Sequence, residues 1–296
     1  MNRRKFGQLF AATALEAAVL RSRAQTAPPS ASATAPRFSV MLWVLGRATP
    51  FDKGLEMVAE AGYQGVELTG QFAKWTPEEQ RGIMARMSSL KLEFDSMSGV
   101  RAGFAVPEGG EAFLTETTAH IKKAKEIGCP QVILLSGKRS DGVDPQVQKQ
   151  ASIDNLKRAS DVAAEHGVDI VIEPIDPLEN PPIFLQSVSV GFEIVRAVNR
   201  PNVKVLYDYY HEQRSFGNLI EKFEKNAEWV GLVHIADVPG RHDPGTGEVD
   251  YGNIYRAMAK LKYNRFIAME YYPVGDVVTS LKKARADAQQ AMASVS

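Results

Sequence analysis

Four side chains able to hold a divalent cation, Glu173, Asp208, His234 and Glu270, each stand at the end of a short apolar run: VDIVIE, VKVLYD, GLVH and RFIAME. Two glutamates, an aspartate and a histidine form an oxygen-rich donor set. Such a set suits Mn²⁺ or Mg²⁺ better than zinc, which favours nitrogen and sulfur. Taken singly, each residue has an ordinary structural use. Glu173 precedes Pro174 and could cap a turn, Asp208 could bond the backbone beside it, and a strand histidine is often simply hydrogen-bonded. Four of them at matched positions point to one metal site. The polar stretch GLVHIADVPGRHDPGTGEVDYG, residues 231 to 252, concentrates further chemistry in one loop, as loops on a rigid scaffold often do.

The elements that must position these residues alternate along the chain. The spacing predicts strands at FSVMLWVL (38 to 45), GVEL (65 to 68), LKLEFDSM (90 to 97), QVILLS (131 to 136), VDIVIEP, VKVLYDYYH, the opening of the 231 to 252 stretch, and RFIAMEYYP. Helices follow each: 52 to 62, PEEQRGIMARMSSL, 109 to 128, Asp144-Pro145 to His166-Gly167, 187 to 199, 216 to 228, 251 to 262 with Asp250 as cap, and 277 to 292. Near-continuous apolar strands alternating with helices imply parallel strands covered on the outside. Eight such units predict an α/β fold, a single-domain (β/α)8 TIM barrel over residues 37–296, whose active site lies at the C-terminal ends of the strands. A doubly wound sheet is the alternative, but VLGRATPFD after the first strand carries neither G-x-G-x-x-G nor G-x-x-x-x-G-K.

VIEPID, LYDYYHEQR, HIADVPGRHDPGTGEVDY and AMEYYP, in that order, resemble the hydroxypyruvate isomerase family within the xylose-isomerase-like barrel superfamily. The resemblance runs over the whole mature chain, GYQGVEL included, and is most specific between residues 171 and 272, above all in PGTGEVDY. It implies that Glu173, Asp208, His234 and Glu270 are metal ligands and that Glu179, His211 and Arg241 are substrate contacts. The ordinary uses of the last three stay open: a solvated loop acid, a hydrogen bond within the Asp208 loop, and a surface charge. Hydroxypyruvate isomerases can carry glutamine at the third ligand position, whereas related ketose 3-epimerases carry histidine, as His234 does here.

The implied chemistry is aldose–ketose isomerisation through an enediolate, most strongly hydroxypyruvate to tartronate semialdehyde. Glu173 and Glu270 would be the catalytic acid/base pair as well as ligands. Arg241 could grip a substrate carboxylate with two parallel hydrogen bonds, which favours such a substrate over neutral sugars. A sugar 3-epimerase, or another sugar isomerase, uses the same enediolate. An endonuclease of the same superfamily needs extra zinc-binding histidines, which DSMSGV and LLSGKRS do not supply, and an exported sugar-binding barrel would need the site degraded.

Composition bounds the partners. Lys+Arg equals Asp+Glu at 35 each, so no basic excess predicts a nucleic-acid partner. A small hydroxy-carbonyl or sugar substrate is expected, and the reading leaves room for a homo-oligomer. MNRRKFGQLF, the weak apolar run Leu9 to Leu20 and Ser22-Arg23-Ala24 form a twin-arginine signal pattern over 1–24, with cleavage after Ala24. Residues 25–36, QTAPPSASATAP, read as a flexible linker, and a periplasmic or exported enzyme with no stable membrane insertion is expected. Cys129, the single cysteine, is expected to be a buried spacer. Trp43 and Phe72 could wall a pocket or lie in the core, and Glu67 could join the site or brace the barrel floor. Asp237, His242 and Asp243 are given supporting or solvent-facing roles. Gly245 to Gly247 reads as a turn into the Asp250 cap more than as a phosphate cradle.

Overall fold

Apolar runs of about five residues bounded by glycine, proline and capping side chains become strands, and longer amphipathic runs become the helices between them. A computed structural model of the chain describes residues 36–295. The signal-peptide reading of 1–24, and all of the linker reading but Pro36, lie outside the described residues. In order the elements are β1 (Arg37–Met41), α1 (Phe51–Glu60), β2 (Gly65–Thr69), α2 (Pro77–Leu90), β3 (Glu93–Ser98), α3 (Gly110–Ile127), β4 (Gln131–Leu135), α4 (Pro145–His166) and β5 (Asp169–Glu173). They continue with α5 (Val188–Val198), β6 (Val203–Asp208), α6 (Tyr209–Ser215), α7 (Leu219–Asn226), β7 (Val230–Ile235), α8 (Tyr251–Lys260), β8 (Phe266–Met269) and α9 (Val277–Ala293). The eight strands pair in parallel in sequence order, and β1 closes the ring against β8, so the (β/α)8 barrel is the observed fold.

Local chemistry sets many of the boundaries. Thr76 and Glu79 form a reciprocal capping box at the start of α2, Asp144 caps α4 ahead of Pro145, and Gly128 and Gly167 end α3 and α4 in the left-handed conformation. Three expectations need correction. The first strand stops at Met41, and Leu42–Leu45 wind into a 3-10 turn. The sixth stops at Asp208, because the Asp208 carboxylate accepts the Tyr210 and His211 N–H groups and starts α6, one helix more than the eight expected. The eighth ends at Met269, although Glu270 N still donates to Ile235 O at 3.1 Å.

Strand alternation connects this frame to the site. Ile133, Val171, Leu206, Leu232, Phe266 and Ala268 form a small apolar cluster of their own, apart from the large core between strands and helices. Val171, Leu206, Leu232 and Ala268 stand two residues before Glu173, Asp208, His234 and Glu270. With a period of two, each polar residue projects to the same inner side of its strand, one layer above an apolar plug.

Candidate active site

The four residues meet. One ligand atom each from Glu173, Asp208, His234 and Glu270 can be chosen so that all lie within 4.8 Å of one another, and all four residues are buried. Three carboxylates at that spacing repel one another unless a cation lies among them. The cluster could therefore hold a hard divalent metal ion, and its donor chemistry fits one.

A protein cation also reaches this cluster. Arg241 Nη2 stands 2.7 Å from Glu270 Oε1 and 3.2 Å from Asp208 Oδ2, Nη1 donates to Glu179 Oε1 at 2.9 Å, and Nε donates to the Glu270 main-chain oxygen at 3.2 Å. Its guanidinium lies 4.9 Å from the centre of the Tyr210 ring and 5.8 Å from that of Trp43, which in turn packs on Tyr272. Trp43 thus walls the site, whereas Phe72 is core, edge-on to His120. Arg241 is buried and so is not a surface charge, whereas Glu179 is an exposed acid at the rim that pairs with it.

Both histidines face carboxylates on both ring nitrogens. His234 Nδ1 lies 2.5 Å from Glu270 Oε2, and Nε2 lies 2.9 Å from Oε2 of the fully buried Glu67. His211 Nδ1 lies 2.7 Å from Asp176 Oδ2, while Nε2 faces Asp208 at 3.4 Å and Glu173 at 3.9 Å. Burial alone would lower the His211 pKa, but the Asp208 charge and the Asp176 hydrogen bond outweigh it and raise it to about 9. The two glutamates diverge. Burial, reinforced by the Glu270 charge, pushes Glu173 up to about 8. Burial works the same way on Glu270, yet the Arg241 guanidinium and His234 hold its carboxyl well below the usual carboxylate range.

The His211 shift has a consequence for stability. A histidine whose folded pKa is raised contributes stability that is complete below its unfolded value near 6.5 and is lost as pH rises through the folded value. Raised Glu173 acts in the same direction, because the folded state again retains the proton longer. Urea denaturation of chelator-treated protein should therefore show stability falling between about pH 6.5 and 9, and Asp176→Asn should flatten part of that fall. A profile that rises over this range would contradict the assignment.

The loop between β7 and α8 is organised by Asp237, which is fully buried. Its carboxylate accepts four backbone N–H groups, from Val238 at 2.8 Å, Gly245 at 2.8 Å, Gly247 at 3.0 Å and Val249 at 3.1 Å. The Gly245 and Gly247 amides are thus engaged by the protein itself, as a turn requires. A Cβ on Gly247 would come within 2.1 Å of the Val238 carbonyl oxygen, so only glycine fits there. Asp243 accepts from Val274 N at 2.8 Å and His242 Nδ1 lies 2.9 Å from Tyr272 O, both supporting roles. We expect Asp237→Ala to cost about 3 kcal/mol in denaturant titrations, because it removes the shared acceptor of four backbone donors at once, the Val249 N–H buried and the others part-buried.

Sequence reasoning missed Asp176, which orients His211, and Tyr210, which lies under Arg241. Asp176 sits in the quoted VIEPID motif and precedes proline, and its Oδ1 accepts the Leu178 and Glu179 N–H groups. An aspartate before proline signals a turn, but only the fold shows that its second oxygen holds His211. Cys129 is buried, as a spacer should be.

Fold and site together define a (β/α)8 barrel enzyme with a buried carboxylate and histidine cluster at the C-terminal ends of its strands. Residues 55–294 match the family model described as xylose isomerase-like TIM barrel, and the chain belongs to that family. Within it the chain groups with isomerases. It is 30% identical to the 2-oxo-tetronate isomerase of Haemophilus influenzae, over 83% of this chain and 97% of that one. It is 29% identical to the hydroxypyruvate isomerase of Escherichia coli, over 80% of this chain and 93% of that one. The crystal structure of an AP endonuclease, family 2, from Brucella melitensis superposes with a TM-score of 0.76 at 27% identity, covering 83% of this chain and 96% of that one.

Proposed function

We propose that the protein is a divalent-metal-dependent isomerase of short 2-oxo acids that carry a hydroxyl beside the carbonyl, with hydroxypyruvate to tartronate semialdehyde as the leading reaction. The observation that carries this reading is the placement of Arg241. A buried guanidinium touching both Asp208 and Glu270 sets a fixed positive charge beside the cluster, which favours a substrate that carries a carboxylate. The relatives named for hydroxypyruvate and for 2-oxo-tetronate support the same substrate class.

Glu173, Asp208, His234 and Glu270 would hold Mn²⁺ or Mg²⁺. When bound, the ion supplies Lewis-acid stabilisation of the charge that develops on the two substrate oxygens. The protein's part is proton transfer and orientation. A carboxylate takes the proton from the hydroxyl-bearing carbon, leaving an enediolate; the hydroxyl proton passes to the former carbonyl oxygen, and a proton is delivered to the former carbonyl carbon. Glu173 and Glu270, at the ends of β5 and just past β8, serve these two positions. His211 Nε2, aimed at Asp208 and Glu173 by Asp176, contacts the substrate, and Glu179 braces Arg241 from the rim.

The deciding experiment incubates Mn²⁺-loaded protein in heavy water with hydroxypyruvate, 2-oxo-tetronate and a panel of neutral ketoses, and reads deuterium at carbon by mass spectrometry. Exchange into the oxo acids is expected. Exchange confined to neutral ketoses would establish the second reading, a sugar 3-epimerase, which His234 favours through its match to that group. No exchange with any substrate would sink both enzymatic readings and leave a sugar-binding barrel. We also read residues 1–24 as a twin-arginine export signal, which would place the enzyme outside the cytoplasm; a fusion of this segment to a reporter tests it.

A further inference from the structure

Glu67 is 167 residues from His234 in sequence, yet its Oε2 is, among the described residues, the one hydrogen-bond acceptor of the His234 Nε2 atom. It lies on β2, two residues after Gly65, at which a Cβ would come within 2.6 Å of the Phe266 ring. Gly65 therefore faces the apolar plug, and Glu67, by strand alternation, projects inward one layer above it, beside the cluster. Its burial is complete, and its Oε1 has no hydrogen-bond partner among the described residues. As a brace for the barrel floor this is a poor device. A buried carboxylate with one bond pays desolvation that an apolar side chain would avoid. As a partner for a ligating histidine it is apt, because a neutral imidazole that donates one N–H to a carboxylate presents its other nitrogen as a bare acceptor with its ring orientation fixed.

We propose that Glu67 is a positioning residue: it takes the Nε2–H of His234 and so fixes the tautomer whose Nδ1 lone pair points at Glu173, Asp208 and Glu270. The geometry supports that direction, since Nδ1 is the nitrogen 2.5 Å from Glu270 Oε2 while Nε2 points away to Glu67. Asp95 lies close enough to feel the Glu67 charge, and it is satisfied separately through Ser39 and Ser96. It has no bond to His234 and is not part of the assignment. The inference rests on the metal-site reading above.

Calorimetric titration of the full chain with Mn²⁺ tests it. Glu67→Leu, which removes the acceptor, should weaken Mn²⁺ binding by about 10- to 100-fold. Glu67→Gln, whose amide oxygen can still accept, should lose clearly less. Equal affinity in wild type and Glu67→Leu would overturn the proposal, as would a Glu67→Gln variant no better than Glu67→Leu. A second measurement needs no substitution at Glu67. In nitrogen-15 histidine spectra of the Zn²⁺-loaded wild type, assigned against His234→Gln, His234 should carry its proton on Nε2. A proton on Nδ1 would overturn the proposal even if the leucine variant failed to fold. Wild type that binds no Mn²⁺ overturns the metal reading and this inference together, whereas tight binding unchanged in Glu67→Leu overturns this inference alone.

Discussion

Glu173→Gln is expected to lower kcat by about 10²- to 10⁴-fold, the range that a positioned general base contributes, while Mn²⁺ affinity and KM change far less. The argument lies in what the substitution leaves intact. Gln retains a carbonyl oxygen at the end of β5 and so can still ligate, but an amide cannot take or return a proton. Glu173 also carries little structural weight: its recorded ionic neighbour is His211 Nε2, at 3.9 Å. Glu270 would be a poorer test, because it holds both His234 and Arg241, and replacing it would disturb the whole cluster. Steady-state kinetics on the oxo acid identified by deuterium exchange, paired with Mn²⁺ calorimetry, separates loss of chemistry from loss of the ion. Wild-type kcat in this variant would remove Glu173 from the mechanism.

The residues that end strands were legible because strand ends are local. VDIVIE and GLVH announce their own inward face, and a period of two places Glu173 over Val171 and His234 over Leu232 without knowledge of the fold. Two of the three misread strand ends have an equally local reason. YYH continues an aromatic run that suits a strand, but Asp208 caps the backbone of Tyr210 and His211 and turns the chain into α6. LWVL suits a strand by composition and winds into a 3-10 turn beyond the barrel rim. The orienting carboxylates were harder. Glu67 and Asp176 act on histidines 167 and 35 positions away, and no spacing in the sequence connects them. Arg241 was offered as a substrate contact by the resemblance, yet its reach to acids that follow β5, end β6 and follow β8 could come only from closure of the barrel.

Arg241→Gln should cost about 3 kcal/mol in kcat/KM for a carboxylate-bearing substrate, or about 10²-fold, and much less for a neutral ketose. The side chain is held from several directions. Nε is tied to the Glu270 carbonyl, the Tyr210 and Trp43 rings flank the guanidinium plane, and Tyr272 N donates to the Arg241 main-chain oxygen at 2.7 Å. Its backbone sits in the left-handed region at φ 57°, a conformation that costs a non-glycine residue energy and that the surrounding bonds must sustain. That rigidity makes selectivity, more than binding alone, the measurable quantity. Arg241→Lys keeps the charge and loses the planar fork, so it should fall between wild type and glutamine for the oxo acid. The ratio of kcat/KM for hydroxypyruvate to that for a ketose should then decline from Arg to Lys to Gln. A ratio that stays constant while both rates fall would mean that Arg241 serves to neutralise Asp208 and Glu270, and that the substrate carboxylate is bound by another residue.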